Sequence, residues 1–560
     1  MCTDTERGLR LALCAHAERL DAYRQGQLTA DDFRRARLSY GLYYQLAHTS
    51  YMQRIKLPGG AFTAAQAHEI ADIADEYARG RMHVTTRQNV QLHWVDLSKA
   101  MEVYSRLHRV GITTRGAAGD AVRNITGCSH AGIWPGELFD VKPYVAATDA
   151  HFLLHPLNFN LPHKFKVAFA SCPADCARGR INDLGFFARR REGRDGFSVY
   201  VAGGLGAQPF LARPLCEFVP AEDTLIIVEA LLGWWSRSGE RANRKKARLK
   251  YLFQRLGAER FAAAVHKEYA AMDAEKGTAL RAELTDAVGA FRSSRPRHLP
   301  SSRLHNGEPD FARWLRTNVF QQKQAGYYAA TILLPMGEIS GEQLRGVATL
   351  AAEFGSGELR ATTDQNLILP WISGARLQKV YRQLDALEIG DAGALAATDV
   401  VCCPGADFCS LAVTRSLEVA TAIRTHLLAR EVRAAEVGVL RIRVSGCPNA
   451  CGQHHAADIG LAGLSVKGPD GHARPHYLMW LGGRAGEDTA AIGKRLSGRF
   501  CEAEVPAAVA ALVEYYRCER RANECFGEFV RRIGVARLSE VARSGEDRAG
   551  DDGKVASCSR

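Results

Sequence analysis

The chain has 560 residues, 46% hydrophobic and 24% charged, with a formal net charge of +12. That length exceeds a single hydrophobic core, and no uninterrupted apolar run reaches the ~18 residues of a helical membrane span, so a multidomain globular chain with no membrane partner is expected. The charge asks for an anionic partner, but the basic residues are dispersed without an aromatic ladder or recognition motif, which argues against nucleic acid and leaves an acidic protein or a carboxylate-rich cofactor.

In chain order, "MCTDTERGLR" lacks the apolar core of a secretory signal. A cytoplasmic location is therefore expected, with the fifteen cysteines mostly reduced. Residues 1–44 read as a helical segment. Residues 45–113 then read as strand–helix–strand, and 119–275 as a larger α+β domain. A polar, Pro/Ser-punctuated stretch at 276–315 is the expected linker. The pattern starts again at 316–386 and 395–535. Residues 540–560 read as a polar, disordered tail.

The restart is an internal repeat. "VTTRQNVQLHWV" at 84–95 recurs as "ATTDQNLILPWI" at 361–372, and Pro58 and Pro335 each stand 27 residues before the first Thr. Between them lie the amphipathic stretches "FTAAQAHEIADIADEYAR" and "ISGEQLRGVATLAAEFG". "KVAFASCPADCARGRINDLG" (166–185) parallels "RIRVSGCPNACGQHHAADIG" (441–460), with an Asp-x-Gly eleven residues after the first Cys in each. A fainter echo pairs "VYVAGGLG" with "LMWLGGRAG". The expected fold is a pseudo-twofold duplication of α+β units.

The halves differ in their cysteines. The second holds Cys403-x5-Cys409 and Cys447-x3-Cys451. Zinc prefers shorter Cys-x2–4-Cys knuckles, whereas four irregularly spaced thiolates suit a cubane iron–sulfur cluster. Buried structural cysteine is the alternative. The first half keeps Cys128, Cys172 and Cys176, with Val122 read at the fourth ligand position; a single cluster is expected. "VAGGLG" (201–206) lacks the full dinucleotide fingerprint, which argues against NAD(P)H.

Together, the cysteine pairs, "SGCPNACGQ…ADIG" and the duplicated "TTxQN" strands resemble the sirohaem-dependent sulfite and nitrite reductases, from about residue 40 to 535. The resemblance implies two ferredoxin-like half-domains, two larger α+β domains, one 4Fe-4S cluster on Cys403, Cys409, Cys447 and Cys451, and a sirohaem sharing Cys451. It implies an anion pocket of Arg54, Arg123, Lys164 and Lys166. It also places Arg87, Gln88, Asn89, Gln365 and Asn366 where they can hold the cofactor periphery. The basic run "RANRKKARLKYLF" (241–253) is either a further cofactor contact or a solvated face, and His454 and His455 are expected to be supporting residues.

The expected activity is six-electron reduction of sulfite to sulfide, since Lys-x-Lys at 164–166 looks sulfite-reducing. "CGQHHAADIG" instead looks nitrite-reducing, so nitrite to ammonia is the alternative. A precorrin-hydroxylating relative and a non-enzymatic iron–sulfur carrier are lesser readings. With no nicotinamide or flavin domain read in the chain, an acidic protein such as ferredoxin is the expected electron donor.

Overall fold

The computed structural model describes residues 3–45, 50–304, 308–432, 434–468 and 471–547. Helices Thr3–Arg24 and Ala30–Ser39 open the chain. The second begins in a capping box: Thr29 Oγ1 accepts from the Asp32 N–H, and Asp32 accepts from the Thr29 N–H. Leu20, Phe33, Tyr40 and Leu42 seat this segment on the helix Ala100–Arg109 through Tyr104.

The two half-domains are built alike and are not independent. Each has a central pair of strands, Tyr51–Ile55 with Val90–Val95 and Tyr327–Ile332 with Leu367–Ser373. Each also has a capping-boxed helix, Ala64–Tyr77 (Thr63/Gln66) or Gly341–Phe354 (Ser340/Gln343). The short strand before each helix crosses to the other half: Ala61–Thr63 pairs with Glu358–Ala361, and Glu338–Ser340 with Arg81–Val84. One continuous core results, in which Ile70 and Leu92 pack with Val347 and Leu369.

Each larger domain carries a mixed sheet. In the first, Thr126–Gly127, Val167–Ala170 and Leu184–Arg191 run parallel, and Arg194–Val201 and Arg213–Pro220 return antiparallel. In the second, Val401–Cys402, Ile442–Ser445 and Ile459–Lys467 are parallel, followed by Ala473–Leu481. "VAFA" at 167–170 is buried on both faces, which is why it reads as an unbroken apolar run.

Four sequence expectations change. The linker is shorter than 276–315: the helix Ala258–Ala290 runs through its first half because Leu280 and Leu284, one turn apart, are buried, and the first proline comes only at Pro296. Its far end is also helical, Pro309–Asn318, with Phe311 and Trp314 buried. The tail begins later than residue 540, because the helix Val535–Asp547 buries Leu538, Val541 and Ala542; residues 548–560 lie outside the described residues. Lys164 and Lys166 precede the strand Val167–Ala170 and flank the isolated bridge residue Phe165.

The fourth change concerns the missing ligand. The Cys128 N–H donates to Phe169 O as the Cys403 N–H donates to Val444 O, in equivalent registers of the two sheets. The Trp134 N–H donates to His130 O as the Cys409 N–H donates to Gly405 O. Cys128 is thus the counterpart of Cys403, and the substituted ligand position is Trp134, not Val122. The cysteine spacing alone had aligned Cys128 with Cys409.

Candidate functional site

The turn "TTxQN" of each half docks on the Cys-Pro-x-x-Cys loop of the other. Thr86 Oγ1 donates to Cys451 O at 2.8 Å, and Thr363 Oγ1 donates to Cys176 O at 2.8 Å. Gln453 Nε2 adds a bond to Thr86 O at 3.1 Å. In the second half the four thiols gather beneath this contact. Cys403 and Cys447 are buried, Cys409 is half-buried and Cys451 is exposed. Among the described residues no three of these sulfurs fall within 4.8 Å of one another, a spread wider than one ion needs. Burial raises the Cys403 thiol to about 12, with Cys451 adding to the shift, and raises Cys409 and Cys447 too. Iron binding replaces those protons. The donor set fits a cubane cluster with one sulfur turned outward. Cys402 is also buried, but its N–H is held by Gln365 Oε1 at 2.8 Å.

Above Cys451 the first half presents cations. Arg54 donates to Tyr43 Oη at 3.3 Å and stacks over its ring at 5.0 Å. Arg87 bonds Asn182 Oδ1 at 3.0 Å and Asn124 O at 2.5 Å. Arg123 Nε donates to Gly119 O at 3.0 Å. Lys164 and Lys166 sit opposite the buried ring of Phe165, so both ammonium groups are on one side of the chain. Arg248 pairs with Asp183 at 2.9 Å. Sequence reading flagged only the run that contains Arg248. Its neighbour Lys250 is bonded to the carbonyls of Gly204 and Leu205, which makes it a brace for the "VAGGLG" loop.

These charges repel one another. Burial, then Arg123, brings Arg87 to about 9. Burial, then Arg248 and Arg123, brings Lys164 to about 8. Lys166 falls well below its ordinary value through burial and then Arg87. Burial raises Tyr43, but Arg123, Arg54 and Lys164 outweigh it and bring the phenol to about 8. Asp183 is committed to Arg248, and Asp120 at the rim to Arg244 at 2.9 Å. A cationic pocket with so little carboxylate calls for an anionic occupant.

The other half answers the same problem internally. Asp364 stands in "TTDQN" where Arg87 stands in "TTRQN". Its carboxylate takes Arg178 at 2.9 Å, Arg441 at 3.7 Å and Arg443. Arg441 occupies the register position of Lys166, each donating its N–H to an equivalent Asp, Asp458 or Asp183. The arginines on that side are therefore partly offset by a carboxylate of the chain, and the side that carries Arg87 is left to bind an anion.

The amides differ from expectation. Gln88 is buried, with Nε2 on Gly127 O and Ala361 O and Oε1 on the Gly127 N–H. Gln365 mirrors it on Val84 O and the Cys402 N–H. Asn89 closes its own turn through Thr85, and Asn366 bonds Leu334 and Asp399. All four are buried; Gln88 and Gln365 clamp one half to the other, Asn89 and Asn366 brace their own half, and Arg87 stays in the pocket. His454 is buried against Ser445 Oγ at 2.9 Å and beside Trp480. Its carbonyl lies so close to Gly460 that a Cβ there would collide, the reason for glycine in that Asp-x-Gly.

Residues 118–272 and 396–549 match the model of the nitrite and sulphite reductase 4Fe-4S domain, and residues 44–110 and 320–387 that of the nitrite/sulfite reductase ferredoxin-like half domain. The chain belongs to the nitrite and sulfite reductase family. The reductase is 30% identical over 526 residues to the chloroplastic ferredoxin–nitrite reductase of Zea mays, covering 90% of this chain and 86% of that one. It is 29% identical over 455 residues to a ferredoxin sulfite reductase of Mycolicibacterium paratuberculosis, covering 80% and 75%. The solved structure of the NirA protein of Mycobacterium tuberculosis overlays with a TM-score of 0.78 at 25% identity, covering 93% of this chain and 95% of that one. The reductase is an oxidoreductase whose cofactors are sirohaem and a 4Fe-4S cluster. The thiol set and the cationic pocket fit both. No helix among the described residues is long and apolar enough to cross a membrane.

Proposed function

We propose that this reductase takes nitrite to ammonia by six electrons, with a ferredoxin as donor. The carrying observation for anion chemistry is the half-buried group of Arg54, Arg87, Arg123, Lys164 and Lys166, which has little carboxylate among it and whose Lys164 interacts with Cys451. Nitrite is favoured over sulfite because the matched relatives named above and others from a cyanobacterium and a haloarchaeon are mostly ferredoxin–nitrite reductases. A net charge of +12 complements an acidic electron carrier.

When bound, the coupled cluster and sirohaem supply the electrons and the open coordination position. The chain's own residues do the rest. Arg54, Arg123 and Lys164 offset the cost of stripping water from a small oxyanion. Tyr43 and Lys164, each near 8, hold protons that transfer readily near neutral pH, so they are the proton donors as oxygen leaves. Thr86 and Gln453 keep the Cys451 loop fixed against the half-domain.

Sulfite to sulfide is the second reading, and Lys166 is the observation in its favour. Sulfite is largely dianionic near neutral pH, so a second ammonium helps it more than it helps nitrite. Lys166 also sits among Arg87, Arg248 and Asp183, where it can serve cofactor carboxylates instead. Steady-state kinetics with a reduced-dye donor, on one preparation, decides. A higher kcat/KM for nitrite is expected; a higher value for sulfite overturns the nitrite reading. If Lys166 contacts the substrate, Lys166→Asn lowers kcat/KM for sulfite about 10–100-fold and for nitrite much less. Equal losses assign it to the cofactor. A visible spectrum without a red-region sirohaem band would leave only a cluster carrier.

A further inference from the structure

The first half has kept a set of sulfurs of its own. Cys128, Cys172 and Cys176 occupy the positions of Cys403, Cys447 and Cys451, as the paired backbone registers show. The fourth position is Trp134, which offers no ligand. A new donor appears on the same turn: His130, where the second half has Gly405.

The spacing changes with the ligands. The donor atoms of Cys128, His130 and Cys176 all lie within 4.8 Å of one another, and the two sulfurs are 2.8 Å apart. Tetrahedral zinc with Zn–S bonds of ~2.3 Å holds its sulfurs ~3.8 Å apart, so a small opening admits one ion. There is no such room for a cubane, which needs four separated ligands. Those three supply two thiolates and one imidazole; Cys172, on the same Cys-Pro-x-x-Cys loop, lies outside the 4.8 Å group but close enough to raise the Cys176 thiol. Cys128 and Cys172 are buried, and Ser129 Oγ lies 3.3 Å from His130 Nδ1, where it steadies the ring. One other donor group of this kind occurs among the described residues, His151, His155 and Glu229. There Lys276 stands 3.6 Å from Glu229 and Glu283 2.9 Å from His151, so the charges are already paired.

We propose that the first half binds a single thiolate-preferring divalent cation, zinc in class, through Cys128, His130 and Cys176, with a water or the Cys172 sulfur drawn in from the same loop at the fourth position. The ion replaces the ancestral pattern of cluster ligands with a structural brace. The braced loop leads to Asn182, which holds Arg87, and to Asp183, which holds Arg248. Its outer turn is fastened to the second half by Thr363.

The test is metal analysis of the purified holoenzyme, with X-ray absorption at the zinc edge. The expected result is about one zinc per chain, with sulfur neighbours near ~2.3 Å and nitrogen near ~2.0 Å. Cys128→Ser and, separately, His130→Ala should lose that zinc while iron and acid-labile sulfide stay at the wild-type level. The half-exposed His130 gives the variant with the smaller risk to folding. Zinc absent from the wild type, and not taken up from added Zn2+ after reduction, overturns the proposal. So does loss of iron and sulfide in Cys128→Ser, which would mean a second cluster. A two-proton mass deficit that a thiol reductant removes would likewise overturn it, by showing a Cys128–Cys176 disulfide.

Discussion

Cys451→Ser is expected to abolish turnover of both nitrite and sulfite. Cys403 and Cys447 are buried beneath the surface of the loop, whereas Cys451 is the exposed member of the set and lies on the side that raises the Lys164 pKa. We propose it as the thiolate shared by cluster and sirohaem, the role the family resemblance implies for it. Serine there removes a soft ligand without disturbing the Thr86 bond, which uses the Cys451 backbone carbonyl. Iron content and the visible spectrum should change with activity. Cys402→Ala is the control: its side chain packs in the hydrophobic core of the second domain and its N–H is held by Gln365, so iron and activity should be retained. Near-normal six-electron activity in Cys451→Ser would remove the shared-ligand assignment. Loss of iron in Cys402→Ala would put Cys402 in the cluster in place of Cys403.

The largest expected effect on stability is that of Asp364→Asn. The carboxylate is the common partner of Arg178, Arg441 and Arg443, and Arg443 is fully buried. Burial raises the Asp364 pKa, but the three guanidiniums outweigh it and hold the group well below the ordinary carboxylate range. Removing the charge leaves like charges buried together, a loss of about 3–5 kcal/mol. The urea midpoint of the variant should fall accordingly at neutral pH. Because the folded pKa is depressed, this stabilisation is fully present above the unfolded value of about 4 and disappears as pH falls through the folded value. The difference between wild type and variant should therefore narrow in acid. A constant difference down to strongly acidic pH would mean that the arginines are compensated elsewhere.

How far the sequence could be read depended on whether a feature was local. The helix after each Pro-x-Gly turn was legible because its capping box and its apolar spacing are set by residues a few positions apart. The cysteine pairs were legible for the same reason. The end of the helix Ala258–Ala290, from residue 276 on, was hidden because polar residues there outnumber the two leucines that bury, and composition pointed to a linker. Tyr43 and Arg248 were overlooked as site residues because their significance lies in neighbours far along the chain, Arg54 and Arg123 for one and Asp183 for the other. The cross-half bonds of Gln88 and Gln365 are invisible in the sequence, because an amide in a repeated turn finds its partner only when the turn docks.

The sequence by itself determined the duplication, the thiol set, the family and the excess of positive charge. These depend on residue identity and spacing, which survive whatever the chain does in space. The tertiary structure decided how the two copies serve each other. Exchange of the short strands puts each "TTxQN" turn against the opposite cysteine loop. That exchange makes a single difference, Arg87 in one turn and Asp364 in the other, decide which side has a carboxylate of its own and which must find an anion. The register of the parallel strands, rather than cysteine spacing, set Cys128 against Cys403 and Trp134 against Cys409. Charge compensation and ligand geometry are properties of approach between distant segments, and only the folded chain fixes that approach.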